Sequence, residues 1–272
     1  MIMPILSYGA EVWGFHKSPD IEKVHLKFLR QILGVHNKTT SSAVYGEFGR
    51  FPLYIKRQIR IIKYWHRINK LNNSLMYKLM YMTDNNGILV NSWSINVKTL
   101  LSNLGFLYLW ANPDISNLQI NNVIQRVIDN YLQSWYACLN SFSRLETYKF
   151  FKISFEFEKY LDCIENDKYI SVLARFRCSS HKLAIEEGRC RNIDKNLRLC
   201  KLCNMNQIES EYHFLLICPI YNELRKKYLH KYFYTWPNLN KFRILLNTTN
   251  CRKIIKLASF IYSATNLRNS LI

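Results

Sequence analysis

Acidic side chains are scarce in this sequence: 19 Asp plus Glu stand against 38 Lys plus Arg, a formal net charge of +19. The seven aspartates, Asp20, Asp84, Asp114, Asp129, Asp162, Asp167 and Asp194, are never adjacent to one another. A two-metal polymerase centre needs clustered carboxylates on a hairpin turn, so none is expected within this chain. Glu223 is the sole acid after Cys218, which excludes a metal-dependent nuclease centre built wholly downstream of that cysteine. Glycine-rich phosphate loops, nucleophile elbows and zinc-protease helices are missing too. No run reaches the roughly 18 to 20 uncharged apolar residues of a bilayer span, and Glu11 interrupts the apolar opening from Met1 to Phe15. That opening lacks a basic start and makes a poor signal peptide. The expected setting is therefore cytoplasmic or nuclear, not secreted. There the eight cysteines stay as thiols, and clustered ones are read as metal ligands before disulfides.

The positive excess suits a polyanion, with nucleic acid the first candidate and an anionic membrane surface the second. Of 272 residues, 49% are hydrophobic and 14% aromatic, enough for a folded core. Glycine and proline punctuate sparingly. Ser18 and Pro19 open a helix in which Ile21, Val24, Phe28, Leu29 and Ile32 are expected to face inward until Gly34 ends it, with Lys23, Lys27 and Arg30 off that stripe. Pro52 starts a longer helix with Ile55, Ile59, Ile62 and Trp65 inward. Lys56, Arg60, Lys63, Arg67 and Lys70 recur on one other face at alternating four- and three-residue steps. No acid occurs between Glu47 and Asp84, so intrahelical salt bridges cannot neutralise that face.

Thr83 to Asn91 reads as a surface connection and Trp93 to Leu104 as a short helix ended at Gly105. From Gly105 to Gly188 only Pro113 interrupts, and Ile120, Val123, Ile124, Val127, Ile128, Tyr131, Leu132 and Trp135 trace a helical apolar face. Tyr169 to Arg177 repeats the amphipathic pattern. The character then changes to charged, turn-rich sequence with paired cysteines from Cys178 to Pro219, and a last helical pattern spans Lys241 to Tyr262. The expected class is mainly α, in four consecutive segments: 1–82, 92–177, 178–230 and 231–272.

Cys200, Cys203, His213 and Cys218 give the spacing C-x2-C, nine residues, H-x4-C. Three thiolates and one imidazole complete a tetrahedron with no open position, so one structural Zn2+ ion is expected. The competing reading is buried thiols and a core histidine, against which Lys201 and Asn204 argue for a turn. Arg198 and Lys201 are placed either to offset the thiolate charge and touch phosphate or to be ordinary solvated charge. Cys178, His181 and Cys190 form a weaker grouping that could compete as ligands. Those two cysteines, with Cys138, Cys163 and Cys251, read as packed or free thiols.

Several collinear blocks resemble LINE-type (non-LTR) retrotransposon reverse transcriptases. Pro4-Ile-Leu-Ser-Tyr-Gly-Ala-Glu-Val-Trp-Gly14 looks like the segment that opens the thumb just after the palm. Tyr45-Gly-Glu-Phe-Gly-Arg-Phe-Pro-Leu53, Phe176-Arg177, His181-Lys-Leu-Ala-Ile-Glu-Glu-Gly-Arg189, Arg198-Leu-Cys-Lys-Leu-Cys203 and Glu211-Tyr-His-Phe-Leu-Leu-Ile-Cys-Pro219 resemble successive later blocks. The resemblance implies a thumb-like helical bundle, a helical segment and a zinc-binding module that contacts RNA or DNA during target-primed reverse transcription. It implies a C-terminal piece whose catalytic palm, with its Tyr-x-Asp-Asp turn, lies elsewhere. Such a chain would grip template, primer or element RNA without polymerising, or serve as part of an active RNA-directed DNA polymerase, or be a relic. Its partners would be RNA and/or DNA, not membrane. Cysteines at 178 and 190 depart from the family pattern, and nine residues before His213 exceed the four of retroviral nucleocapsid knuckles.

Overall fold

A computed structural model describes residues 5–70, 93–112 and 114–272. The chain is mainly α, as expected, with no strand or sheet among the described residues. The expected connection from Thr83 to Asn91 lies outside them. In chain order the longer helices are α1 (Pro19–Leu33), α2 (Ser41–Glu47), α3 (Leu53–Lys70), α4 (Trp93–Leu104), α5 (Asn117–Ser141), α6 (Asp167–Arg177), α7 (Ala184–Cys190), α8 (Asn222–Tyr228), α9 (Leu239–Leu246) and α10 (Cys251–Leu271). None of the described helices is long and apolar enough to cross a membrane. Packing gathers the chain into two compact units that cut across chain order, Met1–His25 with Phe51–Tyr136, and Leu26–Arg50 with Ala137–Ile272.

In the first unit α3 buries Leu53, Ile55, Ile61, Ile62 and Trp65, while Ile59, expected inward, is half-buried. Trp65 stacks on Trp110 with ring centroids 6.0 Å apart and planes 4° from parallel. The first turn of α3 has backbone N–H groups with no intrahelical partner, as any helix start does, and Glu22 on α1 meets them. Its carboxylate accepts from Leu53 N at 3.1 Å and Tyr54 N at 2.6 Å. The same carboxylate lies 3.7 Å from the buried guanidinium of Arg57, which also donates to His16 O at 3.2 Å.

On α1 Leu29 is buried as expected, while the rest of the inward stripe is shifted by one residue from Val24, Phe28 and Ile32. His25, Leu29 and Leu33 are 2%, 0% and 0% exposed, whereas Val24, Phe28 and Ile32 are 52%, 36% and 46% exposed. Apolar residues occupy two neighbouring faces of this helix, so periodicity alone does not choose between them, and the packing partners do. Gly34 ends the helix as expected: at φ 61° it donates to Gln31 O at 3.0 Å, and Val35 N donates to Arg30 O at 3.1 Å.

The second unit is organised around α6 and α10. Leu173, Ala174 and Phe176 are buried from α6, and Ile254, Leu257, Phe260 and Ile261 from α10, with the Tyr169 and Tyr262 rings 5.3 Å apart. Arg177, on α6, is 2% exposed and fully employed. It makes two bonds to Glu47, at 2.8 and 3.1 Å, one to Glu158 at 2.7 Å and one to Leu246 O at 2.7 Å, with its guanidinium 4.6 Å from the Phe151 ring. Such a network specifies geometry more than it adds net stability, because desolvation offsets the attraction.

Two expectations are corrected here. The single helical pattern from Lys241 to Tyr262 is two helices, because Asn247-Thr-Thr-Asn250 interrupts it and Asn250 caps α10 by accepting from Lys253 N at 3.1 Å. Cys163 and Cys251, expected as thiols, form a disulfide with Cα atoms 5.2 Å apart. A sequence separation of 88 residues conceals that proximity, which arises only when the short helix Tyr160–Cys163 packs on α10.

Candidate metal centre and basic surface

Local structure explains the spacing of the four expected ligands. Leu199 and Ile208 form an antiparallel bridge and Cys200 N donates to Gln207 O at 2.9 Å, so Cys200 and Cys203 sit on a tight hairpin closed by Asn206 at φ 50°. His213 and Cys218 are five residues apart, which on an α-helix separates their directions by about 140°. Here His213–Ile217 is a turn of π-helix, and Cys218 N donates to His213 O at 2.8 Å. That wider turn sets Cys218 nearly over His213 and returns both to the hairpin.

The three sulfurs and one imidazole nitrogen lie within 4.8 Å of one another, and all four residues are buried. Cys203 Sγ and His213 Nε2 are 3.4 Å apart. A tetrahedral ion with metal–sulfur bonds near 2.3 Å needs edges of about 3.8 Å, so this group could hold a metal ion after small adjustments. His213 Nδ1 is 3.1 Å from Gln207 Oε1. A proton on Nδ1 donated to that oxygen leaves the Nε2 lone pair directed at the sulfurs. Burial, reinforced by the neighbouring Cys200 and Cys203 thiols, pushes the Cys218 thiol up to about 12, and burial also raises Cys200 and lowers His213. A bound dication would displace the thiol protons, so loading releases protons.

Arg225 supplies an independent test of fit. Its side chain is 1% exposed and pairs with no carboxylate among the described residues; instead it donates to Leu215 O at 2.8 Å, Phe214 O at 3.2 Å and Asn222 Oδ1 at 2.7 Å. Burial lowers it to about 10, and the Cys218 sulfur acts against that shift. A buried cation without an acid is costly unless negative charge lies nearby. Three thiolates around a dication carry a net charge of about −1 and meet that need.

Gln207 and Arg225 were not foreseen. Arg225 stands in a run of three cations with Lys226 and Lys227, and its burial sets it apart from them. The competing set of Cys178, His181 and Cys190 is not brought together as ligands. Cys178 is buried, Cys190 is exposed, and His181 Nε2 pairs with Glu211 at 3.0 Å.

The expected basic residues fare differently. Arg60, Lys63, Arg67 and Lys70 are exposed on one face of α3 and Lys56 is half-buried. Among the described residues none of those four exposed cations has a carboxylate partner. Arg60 donates to Ser7 O at 2.6 Å, Lys70 to Asn117 Oδ1 at 2.9 Å, and Arg67 lies 5.4 Å from the Tyr64 ring. In the second unit Lys201 is exposed on the hairpin, but Arg198 is a brace. Its guanidinium donates to Ile193 O at 2.9 and 2.7 Å and to Ile185 O at 3.0 Å. Its stem lies on Gly188, where a Cβ would stand 2.6 Å from Arg198 Cγ.

Comparison with known proteins finds no matching family model, no matching curated protein and no matching solved structure.

Proposed function

We propose that this chain is a nucleic-acid-binding module that grips the phosphate backbone through the outer face of α3, with a structural Zn2+ ion in the Cys200, Cys203, His213 and Cys218 site. The observation that carries the reading is the row of Arg60, Lys63, Arg67 and Lys70, exposed together and unneutralised by any described carboxylate. Their spacing along about three helical turns suits a run of phosphates, and cations of this kind position a backbone without reading bases. Three soft thiolates plus imidazole, closed to water, favour zinc in a structural role over a catalytic one. Zinc would hold the hairpin that presents Lys201. The sequence resemblance supports assigning this activity to the C-terminal part of a non-LTR retrotransposon reverse transcriptase. On that reading the polymerising palm lies outside the chain and this part holds template, primer or element RNA.

Fluorescence anisotropy against salt tests the reading. Four phosphates neutralised on a duplex predict a slope of log K against log salt of about −3.6. A slope near zero would remove the proposal.

A further inference from the structure

Beyond Glu223 the chain holds no acidic residue, yet it carries Lys226, Lys227, Lys231, Lys241 and Arg243 interleaved with Tyr228, Tyr232, Tyr234 and Trp236. Within this stretch Trp236 is 85% exposed and Tyr232 50% exposed. Trp236 also adopts φ 55°, a left-handed conformation that bulky residues rarely take. Lys241 organises the loop. Its ammonium donates to Thr235 O at 2.7 Å and Trp236 O at 3.1 Å, and it stands 4.6 Å from the centroid of the Tyr232 ring. One half-buried cation thus fixes the backbone that carries the indole and covers the neighbouring phenol ring.

An indole held in water by an unusual backbone conformation gains nothing from core packing. We infer that Trp236, with Tyr232 and Lys241, is a stacking platform for unpaired bases of single-stranded nucleic acid. The partner must offer a flat apolar face to the indole and negative charge to Lys231, Lys241 and Arg243, and a single strand provides both at each nucleotide. A duplex hides its base faces and should ignore the platform. An anionic lipid surface also combines charge with apolar matter, but inserting the indole among acyl chains would draw Lys241 and its two carbonyl partners out of water. The inference rests on the nucleic-acid reading above while using a separate surface. Trp236 and Tyr232 read strandedness, whereas α3 reads backbone charge.

The test uses the full chain with four probes: a 12-mer of deoxythymidine, its ribouridine counterpart, a 12-base-pair duplex, and phosphatidylserine/phosphatidylcholine vesicles. Trp236→Ala should weaken both single strands roughly tenfold and leave the duplex within twofold, with an unchanged thermal midpoint. Trp236→Phe should keep most single-strand affinity but lose the quenching of tryptophan emission that the strand produces in the parent chain. The tighter of the two single strands names the natural source. Single-strand affinity unchanged in Trp236→Ala, an equal loss on duplex, or quenching that persists in Trp236→Phe would each overturn the platform. Loss of vesicle binding in Trp236→Ala with strand binding intact would overturn it in favour of a lipid surface. If the parent chain binds neither strand nor duplex, the nucleic-acid reading falls as well. If reversal of the α3 cations abolishes duplex binding while Trp236→Ala is silent, only the platform falls.

Discussion

Basic side chains are used in opposite ways on the outer face of α3 and inside the second unit. On α3, Arg60, Lys63, Arg67 and Lys70 stand in solvent over an apolar inner face, and the helix does not need their charge in order to pack. In the second unit Arg177, Arg225 and Arg268 are buried, each with a defined set of acceptors. Arg268 binds Glu209 through two bonds at 2.6 and 2.8 Å, Arg177 binds Glu47 and Glu158, and Arg225 binds carbonyls beside the thiol cluster. A basic residue in sequence is thus an offer of charge to a partner only where folding leaves it unanswered. Within the unit of α3, Glu22 caps the start of the helix and does not reach that outer row.

The comparison breaks first at the metal. Cys203→Ser or His213→Ala should release zinc and remove a metal-linked folding free energy that is on the order of 10 kcal/mol in small zinc modules. Because Phe214 packs 5.7 Å from Phe176 and 6.2 Å from Phe260, lost amide protection should spread from residues 198–219 into α6 and α10. Helix α3 should keep its own protection. Metal analysis of the parent chain under reducing, zinc-replete conditions decides the premise, and a stoichiometry near zero would refute the site.

Next in size is the buried network. Arg177→Met strands Glu47 without a cation and leaves Glu158 to Lys152 alone, and should cost about 3–5 kcal/mol, read as a shift in the urea midpoint. A loss below about 1 kcal/mol would show that water reaches the network and that the contrast with α3 is weaker than drawn.

Reversing Arg60, Lys63, Arg67 and Lys70 to Glu should act the other way round. Affinity for duplex or single strand at about 0.1 M salt should fall at least a hundredfold, since counterion release is lost at several phosphates. The unfolding midpoint should change little, as exposed substitutions usually stay within about 0.5 kcal/mol each. Retained affinity would return α3 to the status of a solvated surface.

The smallest effect sharpens the comparison by sign. Burial raises the Glu186 carboxyl despite the opposing influence of Arg189. A carboxyl whose folded value lies above its unfolded one contributes stability below the unfolded value and loses it as pH rises through the folded value. Glu186→Gln should therefore be neutral or stabilising by about 1 kcal/mol or less at pH 7, with the advantage vanishing below about pH 4. A destabilised variant at pH 7 would show that the pairing with Arg189 and Arg144 outweighs burial.

Much of this was legible along the chain. Pro19 and Gly34 mark the ends of α1, the sparing use of glycine and proline anticipates a mainly helical molecule, and the four ligand positions of the candidate metal centre follow from spacing. Apart from Leu29, the inward face of α1 was misplaced by one residue because two adjacent stripes are apolar, and the break between α9 and α10 was missed although Asn250 is a strong capping residue. Gln207, Arg225 and Trp236 carried no signal in a pattern of spacing, since their roles depend on burial, on an acceptor, or on a backbone angle.

By itself the sequence determined the helical class, the quartet that could hold a metal ion and the cationic row of α3, because each depends on residues close together along the chain. Tertiary structure alone decided which cations are spent on Glu47, Glu158 and Glu209, and that Cys163 meets Cys251. Those outcomes are set by desolvation and by contacts between residues distant along the chain. Neither has a local signature, and both decide whether a charge or a thiol remains free to act.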